Sequence, residues 1–245
     1  MEIKGSIVIV TGASQGIGLC TARLLAKQGA SVALVARSTK ALEALQSELP
    51  GSLAVTADMT DWGAIKGMAE AVLQHYGRID ALINNAGKAY EATIEQIEPD
   101  VFTEIFTLNV LGPIVAMQAV IPAMRAQGSG SIVNINSGTA FMKVPGYSVY
   151  SSSKRALLGV TLTAREELAK DGIVVSSIYP GITATNFGVN KAVADEEKGA
   201  SGSGPVRDYS KGDPPEIVAE LIVKALVEGE AEYFVHERMR TMENR

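Results

Sequence analysis

The sequence predicts an α/β domain, a doubly wound and mainly parallel sheet with helices on both faces. Three observations carry this. Short apolar runs rich in Val and Ile alternate with amphipathic stretches of helical length, the pattern of parallel strands joined by crossover helices. That Val and Ile content is also what strands buried on both faces should have. A glycine-rich turn, Gly12 to Gly18, follows the first run directly and opens the first helical stretch.

The elements follow in order. A strand at 6–10 leads through the turn into a helix at 16–28, which Gly29 closes. Strand 31–36, helix 39–48 and strand 52–56 come next. Thr60 is the expected N-cap of a helix at 60–76 that Gly77 closes. Strand 79–83, a long helix at 99–127, strand 131–135, helix 149–170 with Gly172 behind it, and strand 173–178 complete the alternation. The stretch that follows is rich in Gly and Pro (Gly188, Gly199, Gly202, Gly204, Pro205, Gly212, Pro214, Pro215) and is too long for an ordinary connection. A substrate lid is expected at about 183–215. A helix at 215–228 and a strand at 232–235 end the pattern. No internal repeat is present, and a single domain over 1–245 is the expectation.

With 245 residues, 47% hydrophobic and 20% charged, the chain has ordinary globular composition. A net charge of -5 argues against nucleic acid or an anionic membrane as an obligate partner. Cys20 is the one cysteine, which excludes an intrachain disulfide and a cysteine-based metal cluster. His75 and His236 lack metal-ligand spacing, so no metal is expected. No run of about 18 uninterrupted apolar residues occurs; Val110 to Met124 is broken by Gly112, Pro113, Gln118 and Pro122. The first apolar run is too short for a signal-peptide core. A cytoplasmic location is therefore expected.

Thr11-Gly12-Ala13-Ser14-Gln15-Gly16-Ile17-Gly18 lies between the first strand and the first helix. Its glycines permit a tight turn and a close backbone approach to a ligand. The helix start offers unpaired N–H groups and partial positive charge to a pyrophosphate. The second strand ends Val35-Ala36-Arg37-Ser38. NAD enzymes built this way place an acid about 20 residues past the glycines to bind the ribose 2′-hydroxyl. Here Ala36 removes the carboxylate and Arg37 supplies a guanidinium suited to a 2′-phosphate, with Ser38 adding a hydroxyl. NADP(H) is thus the expected cofactor, unless Arg37 simply points into solvent. Asp58, followed by Met59, fits either an acceptor for the adenine amino group or a helix-initiating residue. Asn84-Asn85-Ala86-Gly87 either lets adenosine lie against the backbone or satisfies the sheet edge.

Tyr150 and Lys154 stand four apart at the start of a helical stretch, on one face. A nearby ammonium lowers the pKa of a phenol, which can then exchange a proton with a carbonyl or an alcohol. The pair alone is close to a chance match. Ser137 lies thirteen residues before Tyr150, just past a strand, on the edge where doubly wound sheets bind ligands. Asn109 sits mid-helix, three residues before Gly112-Pro113, where Asn and Pro are poor choices unless the helix is opened. A carbonyl freed there could hold a water that relays protons to Lys154.

On Thr11–Gly18, Asp58, Asn84–Gly87, Asn109, Ser137, Tyr150–Lys154 and Pro180-Gly181-Ile182-Thr183-Ala184-Thr185, the chain resembles the short-chain dehydrogenase/reductase family in its common form of about 250 residues. The resemblance implies a seven-stranded Rossmann-type sheet and an Asn109–Ser137–Tyr150–Lys154 tetrad. It implies that Lys154 also holds the nicotinamide ribose, and that Pro180, Gly181, Ile182 and Thr183, with Thr185 beyond, cover the nicotinamide and its carboxamide. It implies a homodimer or homotetramer joined through the helices around 99–127 and 149–170. The chain departs at its C-terminus, where Glu232 to Glu237 and a charged tail replace the family's common Gly-rich end. That counts against a β-ketoacyl carrier-protein reductase.

The expected substrate wall is Tyr90, Ser137, Thr139, Phe141, Met142, Val144, Tyr147 and Phe187. It is mostly apolar and suits a small uncharged ketone, aldehyde or secondary alcohol. The expected activity is NADPH-dependent carbonyl reduction, reversible as alcohol oxidation. A non-catalytic NADPH sensor or scaffold on the same fold is the alternative, and an epimerase or dehydratase fits the chain length and glycine spacing less well.

Overall fold

In a computed structural model, which describes residues 1–187, 191–193 and 211–242, seven strands form one parallel sheet. They are β1 (Ile7–Thr11), β2 (Ser31–Ala36), β3 (Leu53–Thr56), β4 (Ala81–Asn84), β6 (Gly130–Ile135), β7 (Ile173–Tyr179) and β9 (Glu232–Phe234), in the order β3-β2-β1-β4-β6-β7-β9. Val8 pairs with Val32 on one side and Ala81 on the other. The strand order therefore reverses between β1 and β4, and a crevice opens at their carboxyl ends.

The Val and Ile runs are strands because both faces are covered. Val8, Val10 and Leu34 pack under α1 (Gly16–Lys27) and α7 (Pro215–Glu228), with Leu25 and Ile222. Ile9, Val35 and Val175 face the other way, toward α3 (Trp62–Tyr76) and α5 (Gly112–Gln127), with Ile65, Met68 and Val120. The remaining helices are α2 (Thr39–Glu48), α4 (Pro99–Phe106) and α6 (Ser148–Leu168).

Four details differ from expectation. The helix at 99–127 is two helices joined by one π turn, Thr107–Leu111, which is where Asn109 and Gly112-Pro113 marked an opening. By length and composition the run Pro99–Gln127 could cross a bilayer, but it gives Ala116, Met117, Val120 and Met124 to the core. Asp61, not Thr60, caps α3, its Oδ1 accepting from Gly63 and Ala64 N–H at 2.8 and 3.0 Å. Two further short strands, β5 (Tyr90–Glu91) and β8 (Ala192–Val193), pair in parallel. Finally, the charged tail coils into a 3-10 helix at Glu237–Met242 with Met239 buried. Most of the expected lid, 188–190 and 194–210, lies outside the described residues.

Candidate active site

The turn after β1 is held by the end of β4. Thr11 Oγ1 accepts the N–H of Asn85 at 2.9 Å and of Ala86 at 3.0 Å, and the Asn85 side chain donates to Thr11 O at 2.8 Å. The amides of this segment thus serve the sheet edge, while Asn85, Ala86 and Gly87 still border the crevice. Gly12 is left-handed, φ 68°. A Cβ on Gly18 would lie 2.3 Å from Gly12 O. Gly18 is therefore a packing glycine beneath the turn and does not line the crevice, whereas Gly12, Ser14, Gln15, Gly16 and Ile17 do. Gln15, the N-cap of α1, makes no side-chain cap bond, which leaves the first N–H groups of the helix to a ligand.

Arg37 and Ser38 leave β2 on the same edge, both exposed to the crevice. Arg37 makes no hydrogen bond or ion pair with the described residues, although its charge reaches Asp58. Ser38 caps α2, accepting from Ala41 N–H at 3.4 Å. Asp58 Oδ1 accepts from Thr60 N–H and Oγ1 at 2.9 and 2.8 Å. Burial raises the pKa of Asp58, but those two bonds and Arg37 outweigh it, and the net shift is downward. Asp58 and Met59 both line the crevice.

Farther along the edge, Ser137 lies two residues past β6, and Tyr150 and Lys154 rise from the first turns of α6. Lys154 Nζ donates to Ile135 O at 2.8 Å and stands 5.8 Å from the centroid of the Tyr150 ring. Only 5% of Lys154 is exposed, and burial pushes its ammonium down to about 8. Ser137 Oγ accepts from Thr139 N–H at 3.2 Å and Thr139 Oγ1 at 3.0 Å, so its own proton can turn toward a ligand. Asn109 is fully buried and behind the crevice wall. Its Oδ1 accepts from Lys88 N–H at 3.0 Å, and its Nδ2 donates to Lys88 O at 2.9 Å and Ser153 Oγ at 3.0 Å. A Cβ on Gly87 would lie 3.1 Å from Asn109 Oδ1 and 3.7 Å from Lys154 Nζ. Asn109 thus clamps the backbone beside Lys154.

Pro180, Gly181, Ile182, Thr183 and Thr185 form the opposite wall, joined by Thr139, Met142, Tyr147 and Phe187. Phe187 stands 5.9 Å from Tyr150, and Tyr147 6.4 Å from it, ring to ring. Three of the expected wall residues, Tyr90, Phe141 and Val144, do not line the cleft. Tyr90 is 1% exposed and packs with Ile105 and Val149, its hydroxyl donating to Gln96 O at 3.3 Å. Phe141 packs on Tyr179 and Phe234, ring centroids at 5.0 and 6.1 Å. Both aromatics found more apolar surface in the core than at the edge. Val144 packs behind Tyr147 and Tyr150. Sequence reasoning missed Asp213, His236, Arg238 and Met239, which also border the cleft. Their one signal was Met239, an apolar residue inside a charged tail. The whole cleft, from Arg37 to Met239, encloses about 1790 Å³.

The family model for short chain dehydrogenases matches residues 6–196. The chain belongs to that family. A curated member, dehydrogenase/reductase SDR family member 7B of Bos taurus, is 35% identical over 222 residues, covering 84% of this chain and 68% of that protein. Among solved structures, a short-chain dehydrogenase from Streptomyces avermitilis superposes with TM-score 0.88 at 33% identity, covering 98% of this short-chain dehydrogenase and 91% of that chain. A 3-ketoacyl-(acyl-carrier-protein) reductase from Brucella melitensis, complexed with NADH, gives TM-score 0.84 at 26% identity, with 95% and 97% covered. An alcohol dehydrogenase from Thermococcus sibiricus, complexed with 5-hydroxy-NADP, gives 0.79 at 26%, with 94% and 96% covered.

Proposed function

We propose that this family member is an NADPH-dependent reductase of small uncharged ketones and aldehydes, able to run in reverse as an alcohol dehydrogenase. The observation that carries the reading is the convergence of Ser137, Tyr150 and Lys154 on one cleft with the phosphate turn. The residues fit a nicotinamide dinucleotide. Gly12, Ser14, Gln15, Gly16 and Ile17 line the cleft at the start of α1, whose first N–H groups carry no side-chain cap, and the same cleft of about 1790 Å³ continues past Tyr150 and Lys154. Arg37, with no carboxylate at position 36, supports NADP(H) over NAD(H).

Gly12, Ser14, Gln15, Gly16 and Ile17 would hold the pyrophosphate, Arg37 and Ser38 the 2′-phosphate, Asp58 and Met59 the adenine, and Lys154 with Pro180 to Thr185 the nicotinamide half. The cofactor, when bound, supplies a hydride. Tyr150 donates the proton to the carbonyl oxygen and takes it back in the reverse direction. The Lys154 ammonium, close to the phenol ring, stabilises the tyrosinate that remains. Ser137 donates a hydrogen bond to the same oxygen and orients it. Asn109 keeps Lys88 and Lys154 in register. Exposed Met142, Ile182 and Phe187 around the reacting end favour an uncharged substrate. A cytoplasmic homodimer or homotetramer completes the proposal; exposed Phe102 on α4 and Leu111 on the π turn support subunit contacts there.

NADPH oxidation across a panel of uncharged ketones and aldehydes, with NADH in parallel, tests the reading. The Tyr150→Phe variant should bind NADPH as the parent does and lose about 10²–10⁴-fold in kcat. Retained kcat would sink the mechanism. Tight NADPH binding without turnover of any carbonyl would instead favour a sensor.

A further inference from the structure

Beyond β7 the chain runs through Pro180 to Ala184, and two distant pieces close on it. Asp213 N–H donates to Ile182 O at 2.8 Å, and Asp213 O accepts from Ala184 N–H at 2.9 Å, so Thr183 and Asp213 bridge as parallel partners. Gly212 makes the approach possible, since a Cβ there would lie 2.6 Å from Ile182 O. Asp213 Oδ2 meets His236 Nε2 at 2.8 Å. Both side chains press on Gly181, where a Cβ would lie 3.1 Å from Asp213 Oδ2 and 3.2 Å from His236 Cδ2. They are 23% and 35% exposed and border the cleft with Ile182 and Thr183.

The anchors of this clasp are firm. Asp213 stands two residues before α7, whose Val218 and Ile222 are fully buried, and His236 two residues after β9, whose Tyr233 is 4% exposed. Among the described residues, the segment's other hydrogen bonds are few, and one of them, Thr185 N–H to Thr183 O at 2.9 Å, is local. Gly138 N–H donates to Pro180 O at 3.0 Å, and the internal bond from Thr183 Oγ1 to Gly181 O is long, at 3.4 Å.

We infer that Asp213 and His236 are positioning residues for the nicotinamide half of the cofactor: they hold the 181–184 backbone at the depth a bound ring requires. The inference rests on the NADPH reading above. It assigns to the unusual C-terminal segment a place in the site of its own chain.

The test compares NADPH with its adenosine bisphosphate fragment, which lacks the nicotinamide. His236→Ala and Asp213→Ala should each weaken NADPH about tenfold and lower kcat, the scale of one lost charge-assisted hydrogen bond. Affinity for the fragment should stay as in the parent, which also reports an intact fold. The double variant should lose no more than either single one, because the two act as a unit. His236→Gln, whose amide N–H reaches toward Asp213, should recover most of the loss. Unchanged NADPH affinity in both single variants, or equal weakening of NADPH and the fragment, overturns the inference while leaving the reductase reading intact. A parent protein that binds neither NADPH nor NADH overturns both.

Discussion

Replacing Lys154 with methionine should change how folding stability depends on pH, and in one direction. Burial pushes the Lys154 ammonium from 10.5 down to about 8. In the unfolded chain the amine keeps its proton to the higher value; in the folded chain it releases it near the lower one. Across that window the unfolded state binds more protons, so stability rises with pH. Below about pH 8 the group is charged in both states and the fold bears the full cost of burying it; that cost is relieved as pH rises through the window. A depression of this size corresponds to about 3 kcal/mol, at about 1.4 kcal/mol per unit. The variant has no such titration. Parent stability minus variant stability should therefore grow by most of about 3 kcal/mol from near-neutral pH to the top of the window. Loss of the bond to Ile135 O shifts the variant nearly equally at all pH values. Urea unfolding of both proteins without cofactor across the window gives the difference directly. A difference that stays flat, or that shrinks as pH rises, refutes the claim that Lys154 is held as a desolvated ammonium.

Three other substitutions probe the remaining parts of the site. Arg37→Ala should raise the NADPH KM about ten- to a hundredfold and leave the NADH KM nearly unchanged; steady-state kinetics with both cofactors decides, and equal effects would remove Arg37 from the 2′-phosphate. Asn109→Ala leaves both backbone groups of Lys88 without their partner and should cost about 2–4 kcal/mol in chemical unfolding; a loss below about 1 kcal/mol would mean the clamp is replaceable by water. Gly18→Ala drives a methyl into Gly12 O and should cost about 1–3 kcal/mol and weaken NADPH binding as well, which thermal melts with and without NADPH separate; wild-type stability would show that the turn can yield.

The strands were readable because burial on both faces leaves its mark in composition: Val8, Ile9 and Val10 must all be apolar when helices lie above and below. The π turn was readable as an opening at Asn109 and Gly112-Pro113. What escaped was set by distant packing. An aromatic beside a glycine turn carries the same letters whether it faces a cleft or the core, and Tyr90 faces the core. Strands of two residues, such as β5 and β8, are too short for any periodicity. Gly18 looked like a ligand glycine because spacing does not tell approach to phosphate from approach to a carbonyl. Asp213 and His236 meet across 23 residues, through the docking of β9 beside β7, which no local pattern encodes.

The clasp between Thr11 and Asn85 spans 74 residues, and the wall opposite waits for His236. A site stitched over such separations has high contact order, and contacts of this kind form slowly. On the ribosome the phosphate turn emerges early, is met first by Val35 of β2 through the N–H of Ala13, and lacks its clasp to Asn85 until β4 arrives; its far wall closes only after β9. A dinucleotide held there would recognise the finished fold alone, adding about 2.7 kcal/mol of stability at a hundredfold excess over its Kd. The supply of cofactor would then set the lifetime of the protein as well as its rate of turnover.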